Sequence, residues 1–198
     1  MENLEDAAHA THVIAASVDV KLSRTPKLMV ALSRTDNIVH FDWLKEASQN
    51  RRVISAKDYL LVHNSAAIGE AEKKYKFKLS ETLDRARKLR AKGKLLFHGL
   101  YFFLCPGVAG NTSKTNRTPS EDDFRLILEG AGAKVLSVLP DHTDARARII
   151  IVTSKLAGEK KKQIRNKDVA QAVSRGAFVK TTDEVFHAIM TQKLDWNG

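Results

Sequence analysis

The sequence has one cysteine, Cys105, in 198 residues. No intrachain disulfide framework can form, and the chain suits a reducing compartment. No apolar run approaches the roughly 20 residues that cross a bilayer. The opening MENLEDAAHA carries neither the basic region nor the apolar segment of a secretory signal. An intracellular, soluble chain with no membrane partner is the expectation. Motifs for chemistry are also missing. There is no GxxxxGK[ST] phosphate loop, no nucleophile elbow and no zinc-protease motif. The seven histidines are scattered, and His9 and His12 in HATH have no glutamate or cysteine partners at metal-ligand spacing. The GAG at Gly130 to Gly132 ends a helical pattern instead of opening one, so it is no dinucleotide loop. The acidic run Glu121 to Asp123 falls at a helix start, where carboxylates complement the dipole. Cys105 lies in an apolar strand pattern and reads as inert. The expectation is a protein that is not an enzyme, with no catalytic residue, metal, cofactor or small-molecule substrate.

What is present is ordinary in bulk and unusual in charge. Hydrophobic residues make up 43% and charged residues 28%, enough for one large domain or two small ones. The net charge is +10, which gives weight to polyanionic partners. The excess gathers in RARKLRAKGK (Arg85 to Lys94) and EKKKQIRNK (Glu159 to Lys167). These read as solvated faces, or as a surface for DNA made of Arg85, Arg87, Lys88, Arg90, Lys160, Lys161 and Lys162. No aromatic residue is interleaved with them, which argues against binding single strands by base stacking.

Along the chain, THVIAA (11–16) and NIVHF (37–41) read as strands. Helices are expected over Thr25 to Ser33 and Asp42 to Asn50, the second with Trp43, Leu44 and Ala47 facing inward. The basic stretch 51–77 reads as an irregular connection with an apolar clump at Tyr59 to Val62. A helix follows in LSETLDRARKLRAKG, capped by Ser80 and stopped near Gly93, with Leu79, Leu83, Ala86 and Leu89 on its apolar side. LYFFLCPG is a strand running into a turn. TPSEDDFRLILEGAG is a helix capped by Thr118 with Pro119 first and Glu121 in a capping box. AKVLSVL, ARIIIVTS and AFVKTT are strands, and KDVAQAVSRG and DEVFHAIMTQKL are helices. Residues 98–198 thus run β-α-β-β-α-β-α, and the opening part repeats the end of that order.

One stretch, LSRTPKLMV, poses a question. Thr25 and Pro26 read as an N-cap and first helical residue. Yet Arg24 and Lys27 flank a helix N-terminus, where cations are disfavoured. An anion at that position would resolve the conflict.

The ordered pieces THVIA, RTPKLMVAL, FDWLKEAS, DYLL, YKFKLSETLDRAR, YFFLCPGV, LEGAGAKVL, IIIVTS and TQKLD resemble tandem BRCT repeats of the phosphopeptide-reading kind. The resemblance covers most of residues 11–196. It implies an α/β fold of two repeats, each a small parallel sheet flanked by helices, joined by a linker helix. The boundaries would be 1–64 for the first repeat, 65–97 for the linker with its basic helix, and 98–198 for the second repeat. It also implies a non-catalytic module of a chromatin or chromosome-associated scaffold in DNA-damage signalling, located in the nucleus. Its partner would be a phosphorylated protein or peptide. Lys27, with Thr25, would bind the phosphate of a phosphoserine, and Arg24 would hold the third residue after it or its carboxylate. Val108, Gly110 and Asn111 would form the other wall of the groove. A basic scaffold module binding DNA or protein without reading phosphate is the alternative.

Two departures from the family pattern give further expectations. The family's first strand, with the Ser or Thr and Gly that complete the phosphate pocket, has no counterpart before THVIA, so the first repeat is expected to be N-terminally incomplete. The open edge of THVIA would then be covered by the N-terminal residues, a neighbouring molecule or upstream sequence. The tryptophan of the family's final helix is also missing, with Glu184, Val185 and Phe186 in its region.

Overall fold

The computed structural model describes residues 9–16, 21–113, 117–140 and 148–196. Two parallel sheets organise them. In the first, β1 (Val13–Ala16) pairs with β2 (Ile38–His40), Val13 opposite Ile38. Between them lies α1 (Pro26–Arg34), and α2 (Asp42–Gln49) follows. In the second, β3 (Leu100–Leu104), β4 (Lys134–Leu136), β5 (Arg148–Thr153) and β6 (Phe178–Thr181) lie in the order β4-β3-β5-β6. The β-branched run Ile149, Ile150, Ile151 and Val152 of β5 is buried in that sheet. This is the pattern of an internal parallel strand covered on both faces. α5 (Glu121–Gly130) links β3 to β4, and α8 (Thr182–Thr191) closes the chain after β6.

Two helices appear that the sequence patterns missed. Inside the stretch read as irregular, two short 3-10 turns (Lys57–Tyr59 and Leu61–His63) lead into α3 (Ser65–Tyr75). Asn64 caps α3, its side chain accepting from the Ala67 amide at 3.1 Å. Its buried face is only Ala67, Ile68 and Ala71, one large apolar residue between two alanines, which gives little apolar periodicity. α6 (Ala157–Ile164) precedes α7 (Lys167–Ser174) and buries only Gln163. That glutamine ties the sheet ends together. Its Oε1 accepts from the Ser154 amide at 2.8 Å, and its Nε2 donates to the Pro106 carbonyl at 3.1 Å.

Three local expectations need correction. α4 (Leu79–Arg90) is not capped by Ser80, which lies within its first turn. The Glu72 carboxylate at the end of α3 accepts from the Leu79 amide at 2.9 Å instead. Ser120, not Thr118, caps α5, accepting from the Asp123 amide at 3.1 Å. Thr118 is occupied with Asn111: its Oγ1 accepts from the Asn111 amide at 3.0 Å and its own amide donates to the Asn111 carbonyl at 2.8 Å. α2 has no buried residue; Leu44 is 45% exposed, and Trp43 and Ala47 are half-buried. The described sheet beneath it has only two strands, too little surface to bury a helix face. Trp43 is held instead by stacking on His12 (4.8 Å between centroids) and by donating to the Ile54 carbonyl at 3.0 Å.

One buried apolar cluster runs through both repeats. α1 is its centre: Leu28, Met29, Val30, Ala31 and Leu32 are all buried, because α1 packs against β1, α4, α5 and α8 together. A helix apolar on every side is what such a position requires. Polar bonds seal the contact. Arg34 donates to the Gly130 carbonyl at 2.7 Å and the Glu129 carbonyl at 3.2 Å, placing a cation at the C-terminus of α5. Burial lowers the pKa of this guanidinium from its ordinary value. Gln192, just past α8, donates to Ser33 Oγ at 2.9 Å. In the final helix, Val185 and Phe186 are buried, Phe186 against Phe124 at 4.9 Å. A tryptophan follows the helix: Trp196 stacks on Phe97 at 5.7 Å and meets Phe102 edge-on.

On the open side of the first sheet, residues 1–8, one of the coverings expected for β1, lie outside the described residues. On the other side, Leu60 forms an antiparallel bridge to Val39 of β2.

Candidate functional site

The N-terminus of α1 is built as the sequence implied. Thr25 has extended backbone (φ −90°, ψ 156°), and its Oγ1 accepts from the Leu28 amide at 3.2 Å. Pro26 occupies the first turn, and the Thr25 carbonyl accepts from Met29 at 3.1 Å. The Thr25 amide is not free for an anion at this helix start, because it donates to the Ser23 carbonyl at 2.8 Å. This tight turn is needed to bring the chain into the helix. The Thr25 hydroxyl is exposed, and its hydrogen can still be donated. Lys27 stands half-buried in the first turn. The segment before the helix is anchored to the linker, since Leu22 is buried and its amide donates to the Ala67 carbonyl at 3.1 Å.

Arg24 does not lie on the helix surface beside Lys27. Its guanidinium sits between two rings, 5.3 Å from the centroid of Tyr75 in α3 and 4.9 Å from that of Phe186 in α8. Asp183, at the start of α8, is 3.9 Å away. Stacking of a guanidinium on aromatic faces fixes its plane while leaving its edge donors available. Arg24 thus joins the first repeat, the linker and the second repeat at one point, on the rim of a cleft of about 440 Å³.

The expected second wall is arranged differently. Val108 is fully buried, its amide donating to the Cys105 carbonyl at 3.1 Å, so its side chain belongs to the core and cannot line a groove. Gly110 and Asn111 are bonded to the approach to α5, Gly110 donating to the Pro119 carbonyl at 2.6 Å. The second repeat reaches Arg24 through Asp183 and Phe186, which sequence reasoning did not select. The signal was available: TTDEVF combines a capping hydroxyl, acids and an aromatic at the start of a helix.

Part of the basic linker helix turns inward. Arg90 pairs with Asp36 and donates to the Ser33 carbonyl at 3.3 Å. Arg87 bonds Asp36 and Asp84, both at 3.0 Å. Arg85 donates to the Thr191 carbonyl at 2.8 Å and pairs with Glu81. Arg85 and Arg90 hold α4 to α8 and α1, whereas Arg87 and Lys88 of that expected cluster are exposed, Arg87 with its head group on Asp36 and Asp84. On α6, Lys161 and Lys162 are exposed and Lys160 is half-buried. Cys105 is buried, and desolvation pushes its thiol up to about 11, which keeps it protonated and unreactive. No helix among the described residues is long and apolar enough to cross a membrane, and no metal-ligating group of three or more side chains occurs among them.

No protein-family model matches the chain. Its fold, however, is that of a tandem BRCT pair. The crystal structure of the S. pombe Brc1 BRCT5–BRCT6 domains superposes with a TM-score of 0.66 at 18% identity, covering 96% of this chain and 81% of that one. By sequence, the chain is homologous to PAX-interacting protein 1, a tandem BRCT protein. The Bos taurus protein is 30% identical over 203 aligned residues and the Mus musculus protein 29%, each match covering all of this chain. The chain spans 18% and 16% of the length of these two relatives.

Proposed function

We propose that the chain is a non-catalytic BRCT module that binds phosphoserine peptides, as part of a nuclear, chromosome-associated scaffold in DNA-damage signalling. The observation that carries this reading is the Arg24-Thr25-Pro26-Lys27 corner. A capped helix N-terminus with a donor hydroxyl and a lysine adjoins an arginine held between two rings at the junction of the repeats. Lys27 and the Thr25 hydroxyl would receive the phosphate, assisted by the positive end of α1. Arg24 would receive the main chain or carboxylate of a later peptide residue through its planar fork. The homology to PAX-interacting protein 1 and the Brc1 fold support the setting, and the protein partner follows from it. The repeat boundaries 1–64, 65–97 and 98–198 belong to the same proposal.

Titration calorimetry with one peptide, with and without its phosphate, tests the reading. Phosphorylation should create the binding, and Lys27→Ala should weaken it by about 1.5–3 kcal/mol, the range for hydrogen bonds to charged groups. Equal affinity for both peptides removes the proposal. DNA binding is the second reading, favoured by one observation: Lys161, Lys162, Arg165 and Lys167 form an exposed basic row over α6 and the start of α7.

A further inference from the structure

We propose that the cleft between the repeats holds a second phosphate, carried by the same peptide a few residues after the phosphoserine. This inference rests on the phosphopeptide reading and adds a ligand to it. The cleft, about 440 Å³, gathers cations from three separate parts of the chain. Arg24 comes from the approach to α1, Lys74 and Lys76 from the end of α3, and Lys155 from the loop after β5. Against these four stands one lining carboxylate, Asp183. It is exposed and pairs with Arg24 at 3.9 Å and with Lys155 at 3.5 Å. Among the described residues neither Lys74 nor Lys76 forms an ion pair. Four cations against one carboxylate leave the cleft lining with an excess of positive charge that attracts an anion.

Lys76 strengthens the case. It adopts a left-handed conformation, φ 52° and ψ 53°, at the end of α3. Glycine takes this position without strain and a long side chain does so at a cost. The fold nevertheless keeps a cation there, on the cleft wall. The left-handed backbone is the helix C-cap, as at Gln192 after α8, and it leaves the Lys76 side chain exposed on the cleft. The aromatic side of the cleft supplies the rest: Tyr75 lies beneath both Arg24 and the Lys74 ammonium, the latter 5.2 Å from the ring centroid. The charge selects phosphate over carboxylate. A carboxylate is one charge, which the Arg24 fork meets alone. A phosphate brings close to two charges and three acceptor oxygens, enough for Arg24 and the lysines together.

The test uses the whole chain and four kinds of peptide: unmodified, singly phosphorylated, doubly phosphorylated with the second phosphoserine two, three or four residues on, and singly phosphorylated with aspartate in that second position. At one spacing the second phosphate should strengthen binding about tenfold or more, and aspartate should give less. Lys74→Gln and Lys76→Gly should each reduce that gain and leave affinity for the singly phosphorylated peptide unchanged. The glycine suits the left-handed backbone, and thermal unfolding of both variants confirms folding. No gain at any spacing, with the singly phosphorylated peptide still bound, overturns this inference alone. Failure of the singly phosphorylated peptide to outbind the unmodified one overturns the phosphopeptide reading and this inference with it. Equal gains from phosphate and aspartate would show a site for any acid, and also overturn it.

Discussion

Replacing Gly132 by alanine should destabilise the protein far more than the same change at Gly107, and the structure separates the two causes. Both glycines have positive φ, +93° at Gly132 and +79° at Gly107. A left-handed backbone costs an L-residue roughly 1–2 kcal/mol, so both variants incur that strain. At Gly107 a Cβ meets nothing within 4 Å, and strain is the whole effect. At Gly132 a Cβ would stand 2.7 Å from the Leu95 Cβ, with the His98 amide nitrogen at 3.5 Å. The clashing atom is rigidly attached to the backbone, so no rotamer change relieves it. Overpacking of this kind adds about 1–3 kcal/mol, giving a total of roughly 2–5 kcal/mol for Gly132→Ala. That is a large share of the 5–15 kcal/mol typical of a folded domain. Gly132 terminates α5, its amide donating to Glu129 at 2.9 Å and the Ala133 amide to Leu128 at 3.0 Å. The neighbouring Glu129 and Gly130 carbonyls hold Arg34 of α1. Damage at this cap should therefore reach the contact between repeats. Urea unfolding of the two variants gives the comparison. Leu95→Ala should fail to rescue Gly132→Ala, because the offending Cβ remains. Equal losses in the two glycine variants would refute the packing half of this reasoning.

Asp36→Ala removes the carboxylate shared by Arg87 and Arg90, and urea unfolding should show a loss of about 1 kcal/mol, since both pairs are partly exposed to solvent. The Glu184 carboxylate accepts from the Thr181 amide at 2.7 Å and its hydroxyl at 2.8 Å, closing the capping box of α8. Partial burial opposes ionisation, but these bonds and the nearby Lys180 and Lys160 outweigh it and hold the carboxyl below its ordinary value. A depressed carboxylate stabilises the fold above its unfolded pKa and ceases to do so as pH falls through the folded one. Glu184→Gln should thus cost about 0.5–2 kcal/mol at pH 7, and thermal unfolding should show the gap to the unsubstituted protein closing below about pH 4. Reversing Lys161, Lys162 and Arg165 to glutamate should reduce DNA affinity and its salt slope in electrophoretic mobility shifts. Arg87→Glu should change DNA affinity much less, because Arg87 is engaged with Asp36 and Asp84.

The strands and most helices were legible in the sequence because their patterns are strong. IIIVT and LYFFL are continuous apolar runs, and Thr25-Pro26 marks a helix start by two independent means. α3 and α6 were hidden for the opposite reason: one buries two alanines and one isoleucine, and the other buries a single glutamine. The start of α4 is held by Glu72, which comes from the preceding helix and not from its own first turn, and the cap of α5 falls on Ser120, because Thr118 is taken up by Asn111. Of the site, the Arg24 to Lys27 corner was readable from local chemistry and from the family resemblance. The placement of Arg24 between Tyr75 and Phe186 was not, since it depends on how two repeats and a linker meet. The same holds for the linker arginines. Their charge is plain in the sequence, while Asp36, Ser33 and Thr191, which satisfy it, lie far away along the chain.

The central claim is that a phosphoserine docks at the N-terminus of α1. Its most direct test is a ¹⁵N-resolved NMR titration of the chain with a phosphoserine peptide. The account predicts that amide shifts concentrate on Thr25, Lys27 and Leu28 and on Asp183 to Phe186, and that Lys27→Ala moves their midpoint to about tenfold or more higher peptide concentration. Shifts confined to α6 and α7, or identical shifts with the unphosphorylated peptide, would contradict it.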